Sequence, residues 1–119
     1  MHPKARFLFT ASMDVDADKE ALFNEVYDTE HVPLLLKVPG VLAVTRTMLM
    51  PLTMVIGGET KTIVIDGEPR HSAVYELETA EVLTSPEWAA AVDQGRWPGQ
   101  VRPFTRNRRH TLRRITGRQ

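Results

Sequence analysis

Cysteine is absent from this chain, which excludes disulfides, thiol nucleophiles and Cys-ligated zinc or iron–sulfur centres. No apolar run approaches the about 18 residues that a membrane-crossing helix needs. The opening Met1-His2-Pro3-Lys4-Ala5-Arg6 leads straight into a strand-like segment and lacks the apolar core of a secretion signal. A cytoplasmic protein is expected, with no membrane partner. The four histidines, His2, His31, His71 and His110, are scattered without H-x-H or H-E-x-x-H spacing, so no metal site is expected. Neither a P-loop nor a G-x-G-x-x-G occurs, and no serine-nucleophile motif is found. The expectation is therefore a protein that works without a cofactor. Internal repeats and low-complexity segments are also missing.

What is present is ordinary in amount. The 119 residues are 42% hydrophobic and 25% charged, the profile of a folded chain. A chain of this length buries about two thirds of the surface it exposes when unfolded, enough for one core and one domain over residues 1–119.

Charge balances in total, at fifteen bases and fifteen acids, but is segregated. Residues 14–30 carry seven acids against Lys19 alone, and from Arg96 onward there are eight arginines and no acid. Such a tail can bind phosphate, form a solvated face, or complement the acidic segment in the same or a partner chain. No zinc finger, helix-turn-helix or RNP-like strand accompanies it, so a nucleic-acid partner is not expected.

The periodicities alternate between two and 3.6. In residues 6–13, Phe7, Phe9, Ala11 and Met13 share one strand face and Leu8, Thr10 and Ser12 the other. Both faces are poor in charge, as in a strand covered on both sides. Asp16 can cap a following helix, whose stripe is Leu22, Phe23, Val26 and Tyr27. Pro33 should kink or stop that helix near His31-Val32, and Pro39-Gly40 should end it. Residues 41–56 read as one long strand bent near Pro51, with Gly57-Gly58 turning into a returning arm over Lys61–Ile65. A strand over residues 70–78 places His71, Ala73, Tyr75 and Leu77 on one face. A second helix starts at Ser85-Pro86 and ends near Gly95, and residues 104–115 form a last strand.

The order β-α-β-hairpin-β-α-β is the α+β ferredoxin-like arrangement, with two helices on one face of an antiparallel sheet. The other face needs cover, and a second copy across a two-fold axis is the economical one. A homodimer through the sheet face is expected.

A family likeness is carried by Tyr27-Asp28-Thr29-Glu30-His31-Val32-Pro33, Val38-Pro39-Gly40-Val41, Arg46, Tyr75-Glu76-Leu77, Ser85-Pro86-Glu87-Trp88 and Gly95-Arg96-Trp97. Together these resemble the EthD-like branch of the dimeric α/β-barrel superfamily, over roughly residues 6–115. The resemblance implies a ferredoxin-like dimer whose sheets pack into a barrel. The reaction stays open, since the superfamily includes cofactor-free isomerases, polyketide cyclases and monooxygenases beside members without assigned activity. The arm at residues 57–66 is longer than the family pattern.

His31 is the leading candidate for chemistry, because an imidazole can accept and return a proton near neutral pH. Asp28, three residues earlier, could fix its tautomer, and Tyr27 could donate to a carbonyl oxygen. The alternative is that His31 caps a broken helix and packs on Pro33. His71 and Tyr75 share a strand face that points into a core or a cavity, where a satisfied structural histidine is the other reading of His71. His110 shares a face with Arg106, Arg108, Leu112 and Arg114, an anion site if it looks into a pocket and a solvated face if it looks out. Arg46 interrupts an apolar strand and needs a carboxylate, from the protein or a ligand. Met48, Met50 and Met54 could soften a pocket or fill the core, and Trp88 and Trp97 are packing anchors.

Three functions remain. The first is a cofactor-independent enzyme on an aromatic, polyketide-like or lactone-type metabolite, with His31 as general acid/base. The second holds a small apolar or anionic metabolite without turnover. The third is an interaction module working through the arginine-rich strand.

Overall fold

A computed structural model describes residues 1–119. The strands are β1 (Phe7–Val15), β2 (Val41–Met48), β3 (Leu52–Ile56), β4 (Glu59–Ile63), β5 (His71–Leu77) and β6 (Thr105–Arg114). The α-helices are α1 (Glu20–Val26), α2 (Val32–Leu36) and α3 (Pro86–Ala91). A four-stranded sheet runs β2-β5-β1-β6 with every pairing antiparallel, and β3–β4 form a separate two-stranded ribbon. This is the ferredoxin-like α+β fold expected from the order of elements.

Alternation along β1 and β5 builds the core side of the sheet. Phe9 lies opposite Tyr75, Ala11 opposite Ala73 and Met13 opposite His71, and the helices set Phe23, Val26, Tyr27 and Leu35 against them. On the other face, Leu8, Thr10, Ser72, Val74 and Glu76 stay half-buried and contribute nothing to the core. Ser12 and Ser72 share a 2.7 Å hydrogen bond there, which satisfies both hydroxyls without calling on a charge.

Several local expectations need correcting. Asp16 does not cap the helix; its carboxylate takes Arg106 at 2.7 Å, because an ion pair to the facing strand competes for the same oxygens. Pro33 does not break the helix either. The backbone passes from α1 to α2 through a five-residue π-helical turn, Tyr27–His31, and Pro33 sits in the first turn of α2. The wider turn relieves the clash that a proline ring makes with the carbonyl four residues back. Residues 41–56 are not one bent strand: β2 and β3 lie in different sheets, separated at Leu49–Pro51. Proline cannot donate to the ladder, so the chain leaves the main sheet there. The second helix keeps its Ser85 cap, whose Oγ accepts from the Trp88 amide at 3.1 Å, but α3 stops at Ala91 rather than near Gly95. Met48, Met50 and Met54 do not fill the core; all three are exposed, and Met50 alone lines a pocket, an open apolar groove at the base of the ribbon.

Gly57 and Gly58, at φ 61° and 81°, make the tight turn that the ribbon requires. The ribbon projects from the rest of the chain. The radius of gyration is 16.0 Å, against about 13.5 Å for a compact chain of this length.

Gly40 closes the helix–strand connection at φ +91°, and a methyl group there would collide with the Val82 side chain. Gly40→Ala should cost about 2–4 kcal/mol, combining left-handed backbone strain with overpacking. In urea unfolding, the double variant Gly40→Ala/Val82→Ala should show at least about 1 kcal/mol of favourable coupling. A loss below about 0.5 kcal/mol for the single change would contradict this account of the turn.

Candidate functional site

Between the core face of the sheet and the helices lies a cavity of about 190 Å³. β1 supplies Phe9, Ala11 and Met13; the helical segment supplies Tyr27, His31 and Leu35 at four-residue spacing. Tyr75 comes from β5, Trp88 from α3, Trp97 and Arg102 from the stretch before β6, and Arg108 and His110 from β6 itself. A second π-helical turn, Trp97–Val101, borders the cavity beside the first. π-helical turns are rare and concentrate at functional sites. Here the two turns hold the central contact: the His31 imidazole stacks on the Trp97 indole, ring centres 4.3 Å apart and 18° from parallel.

His31 is 5% exposed, and its Nδ1 is fully buried with no hydrogen-bond partner. A buried polar nitrogen left unpaired costs about 1–3 kcal/mol, so structural histidines are normally satisfied. His71 is such a histidine, with its Nε2 3.0 Å from a Glu20 oxygen. His31 is not. Burial and the nearby Arg102 guanidinium push its pKa down to about 4, so it is a neutral imidazole at neutral pH.

Tyr27 and Tyr75 face each other with their hydroxyls 3.4 Å apart. Two hydroxyls sharing one bond leave one O–H free to donate. Burial raises both phenol pKa values, so both keep their protons. The cationic side has an imbalance. Arg102 is paired with Asp93 at 2.9 Å and with the Val92 carbonyl, whereas Arg108 bonds only Thr105 Oγ1 and the Arg102 carbonyl and has no carboxylate. His110 packs edge-on against Phe9, ring centres 5.7 Å apart. An aromatic slot with one uncompensated guanidinium at its edge suits a flat anion.

The structure thus brings His31, Tyr27, Tyr75 and His110 to one cavity and leaves three expected site residues elsewhere. Asp28 does not reach the imidazole. Its carboxylate takes Arg46 at 2.7 Å, because in the helix it points away from the ring and an arginine is waiting across the gap. Arg46 also donates to Asn24 at 2.8 Å and lies over the Tyr27 ring at 4.7 Å, so its carboxylate comes from the protein and its charge sits behind the tyrosine. His71 is held by Glu20 at the far end of β5.

Arg102 was not visible in the sequence as a site residue, since it lies in irregular backbone that no periodicity marks. Arg106 and Arg108 part company because Asn107, at φ 52°, sits where the β1–β6 register shifts. Arg106 turns to Asp16 and Arg108 to the cavity.

No known family profile matches the chain, and no curated protein does. Solved structures do. An ethyl tert-butyl ether D (EthD) family protein from Bacillus halodurans is similar at 15% identity and TM-score 0.56, covering 92% of this chain and 99% of that one. The heme-degrader MhuD from Mycobacterium tuberculosis, with two hemes in its active site, is similar at 15% identity and TM-score 0.57, covering 94% and 97%. A mutant of MhuD with two manganese protoporphyrin IX bound per active site gives 14% identity, TM-score 0.60 and coverage of 94% and 96%. These likenesses establish the ferredoxin-like fold of the dimeric α/β-barrel proteins. The EthD-like resemblance of the sequence is met by an EthD family protein among the structural neighbours.

The depressed pKa of His31 has a thermodynamic consequence. The unfolded chain, at about 6.5, binds a proton that the folded chain refuses until about pH 4. Stability should therefore be full above pH 6.5 and fall as pH drops toward 4, by on the order of 3 kcal/mol in total. Compared with His31→Gln in urea unfolding, the wild type should lose that stability selectively across this window. Parallel pH curves for the two proteins would contradict the buried, unpaired imidazole.

Proposed function

We propose that the chain is a single-domain homodimer, paired through its sheet faces, that acts without a cofactor on a small anionic aromatic metabolite. The reaction class is proton transfer at a carbon or oxygen activated by a carbonyl, the step shared by isomerisation, cyclisation and cofactor-free oxygenation. The observation that carries it is the buried imidazole of His31, unpaired in a protein whose other buried histidine is paired.

The neutral imidazole takes a proton from the substrate, and the electron pair left behind moves onto the carbonyl oxygen. The free hydroxyl of the Tyr27–Tyr75 pair donates to that oxygen, in a site dry enough for the bond to count. The imidazolium then returns its proton to a new position on the substrate, leaving the protein unchanged. A pKa near 4 makes a weak base in the empty protein. A bound anion beside Arg102 and Arg108 offsets their charge and favours the imidazolium, which raises the basicity of His31 when substrate is present.

MhuD carries heme in its active site. Here the half-open cavity measures about 190 Å³, below the about 300–1,000 Å³ of pockets for drug-sized ligands, and no step of the proposed reaction involves a tetrapyrrole.

A second reading, a carrier of the same anion without turnover, is favoured by the low basicity of His31 in the empty protein. Both tryptophans of the chain line the cavity, so intrinsic fluorescence reports on it directly. Titrated with 1-hydroxy-2-naphthoate and its methyl ester, the protein should bind the acid at least about 10-fold more tightly, and Arg108→Ala should remove that preference. Equal affinity for acid and ester would overturn the anion site. His31→Ala should keep the affinity and abolish deuterium exchange at the acidic carbon of an aryl 1,3-diketone. Exchange unchanged in that variant would overturn the enzyme and leave the carrier.

A further inference from the structure

The β3–β4 ribbon has no use in the site just described, and it is built as no free hairpin should be. Met50, Leu52, Met54, Val55, Val64 and Ile65 are between 43% and 77% exposed. Large exposed apolar groups gathered at one place mark interaction surfaces, whereas single ones scattered over a monomer are ordinary. Leu49–Leu52 and Ile63–Ile65 form the walls of an open apolar groove of about 340 Å³. The reverse face offers nothing to the core either: Thr53 and Thr62 bond each other at 3.0 Å. A two-stranded hairpin is marginal in water without something to pack on.

The ribbon is nonetheless fixed in direction. The Asp14 carboxylate accepts from the Arg70 amide at 2.8 Å and from Asn107 Nδ2 at 3.0 Å. The same Nδ2 donates to the Gly67 carbonyl at 2.8 Å, so both strands of the main sheet's rim grip the base of the ribbon. The groove also continues into the bare face of the sheet. Glu68 lines the groove and lies 3.9 Å from Arg109, which pairs with Ser12 on that face.

Charge selects the occupant. Residues 52–68 carry Glu59, Asp66 and Glu68 against Lys61, so the segment is net acidic and is repelled by an anionic membrane. Arg113 on β6, facing the bare side opposite Leu8, has no carboxylate partner in its own chain. A second copy supplies what each lacks: the half-buried Leu8, Thr10 and Val74 of its sheet face for the apolar groove and the Arg113 guanidinium for Asp66, which has no cation in its own chain. Two-fold symmetry then satisfies both chains at once.

We propose that the β3–β4 ribbon is a clasp that closes its apolar groove on the bare sheet face and β6 of a second copy of this chain. The inference rests on the sheet-face homodimer proposed above, and its test separates the two.

Sedimentation equilibrium should give the intact protein a mass of twice 13.5 kDa. Leu52→Glu/Val64→Glu, in the groove, should raise the dimer dissociation constant about 100-fold or more with the circular dichroism of the main fold kept. An unchanged dissociation constant in that variant overturns the clasp and leaves the sheet-face dimer. Thr10→Lys/Val74→Lys, on the bare face, should also dissociate the dimer. If it does not while the groove variant does, the bare face is neither paired nor clasped, and the clasp falls together with the sheet-face dimer. An intact protein that is a monomer overturns both. Hydrogen exchange on the unaltered chain is independent of any variant's folding. Amides of residues 52–63 should be protected at high protein concentration and lose protection on dilution, and rapid exchange at every concentration overturns the clasp.

Discussion

The stack of His31 on Trp97 is the contact on which the rest of the site depends. It joins two π-helical turns that are far apart in sequence, and it removes an imidazole from water without giving Nδ1 a partner. The same contact brings Trp97 edge-on to Tyr27 at 5.0 Å, which in turn meets Tyr75 across the cavity. Glu30 secures the arrangement from outside by accepting from the Arg96 amide at 2.9 Å and pairing with its guanidinium. Gly95 permits that approach, since its φ is +68° and a methyl group would press within 2.6 Å of the Glu30 carboxylate. Loss of the ion pair would loosen the loop that presents Trp97, so a surface feature holds a buried one.

The chain has three surfaces with three different deficits. The cavity lacks a hydrogen-bond partner and a negative charge, the outer sheet face lacks cover, and the ribbon lacks a core. Each deficit points to a different missing component: a small anion for the first, a second copy for the other two. The segregated charge is largely resolved within the chain. Arg96 takes Glu25 and Glu30, Arg106 takes Asp16, and Arg70 takes Glu20. Among the arginines of the tail left without a carboxylate, Arg108 borders the cavity, Arg113 faces the bare side and Arg118 bonds the His2 and Pro3 carbonyls.

Most of the fold was legible from residue patterns because it rests on periodicity. The two-residue alternation of Phe7–Met13 and His71–Leu77 located the central strands, and Ser85-Pro86 located α3. What patterns could not supply was long-range pairing. Nothing local in Asp16 says that Arg106 will take its carboxylate in preference to a helix amide. Pro33 reads as a breaker because a π-helical turn leaves no composition signal. The candidate site was half legible: His31, Tyr27, Tyr75 and His110 converge, while Asp28 pairs with Arg46 and His71 with Glu20. Telling these groups apart required knowing which polar atoms find partners, and that is a property of the folded state alone.

The central claim is that His31 is a neutral, unpaired imidazole enclosed against Trp97. A histidine-resolved NMR pH titration, assigned by the His31→Gln variant, tests it most directly. The account predicts a His31 midpoint near pH 4 in the empty protein. It also predicts an upward shift when 1-hydroxy-2-naphthoate is bound. A midpoint at the unperturbed value of about 6.5 or above, unmoved by the anion, would mean that the ring is solvated or paired and that the cavity is packing rather than a site.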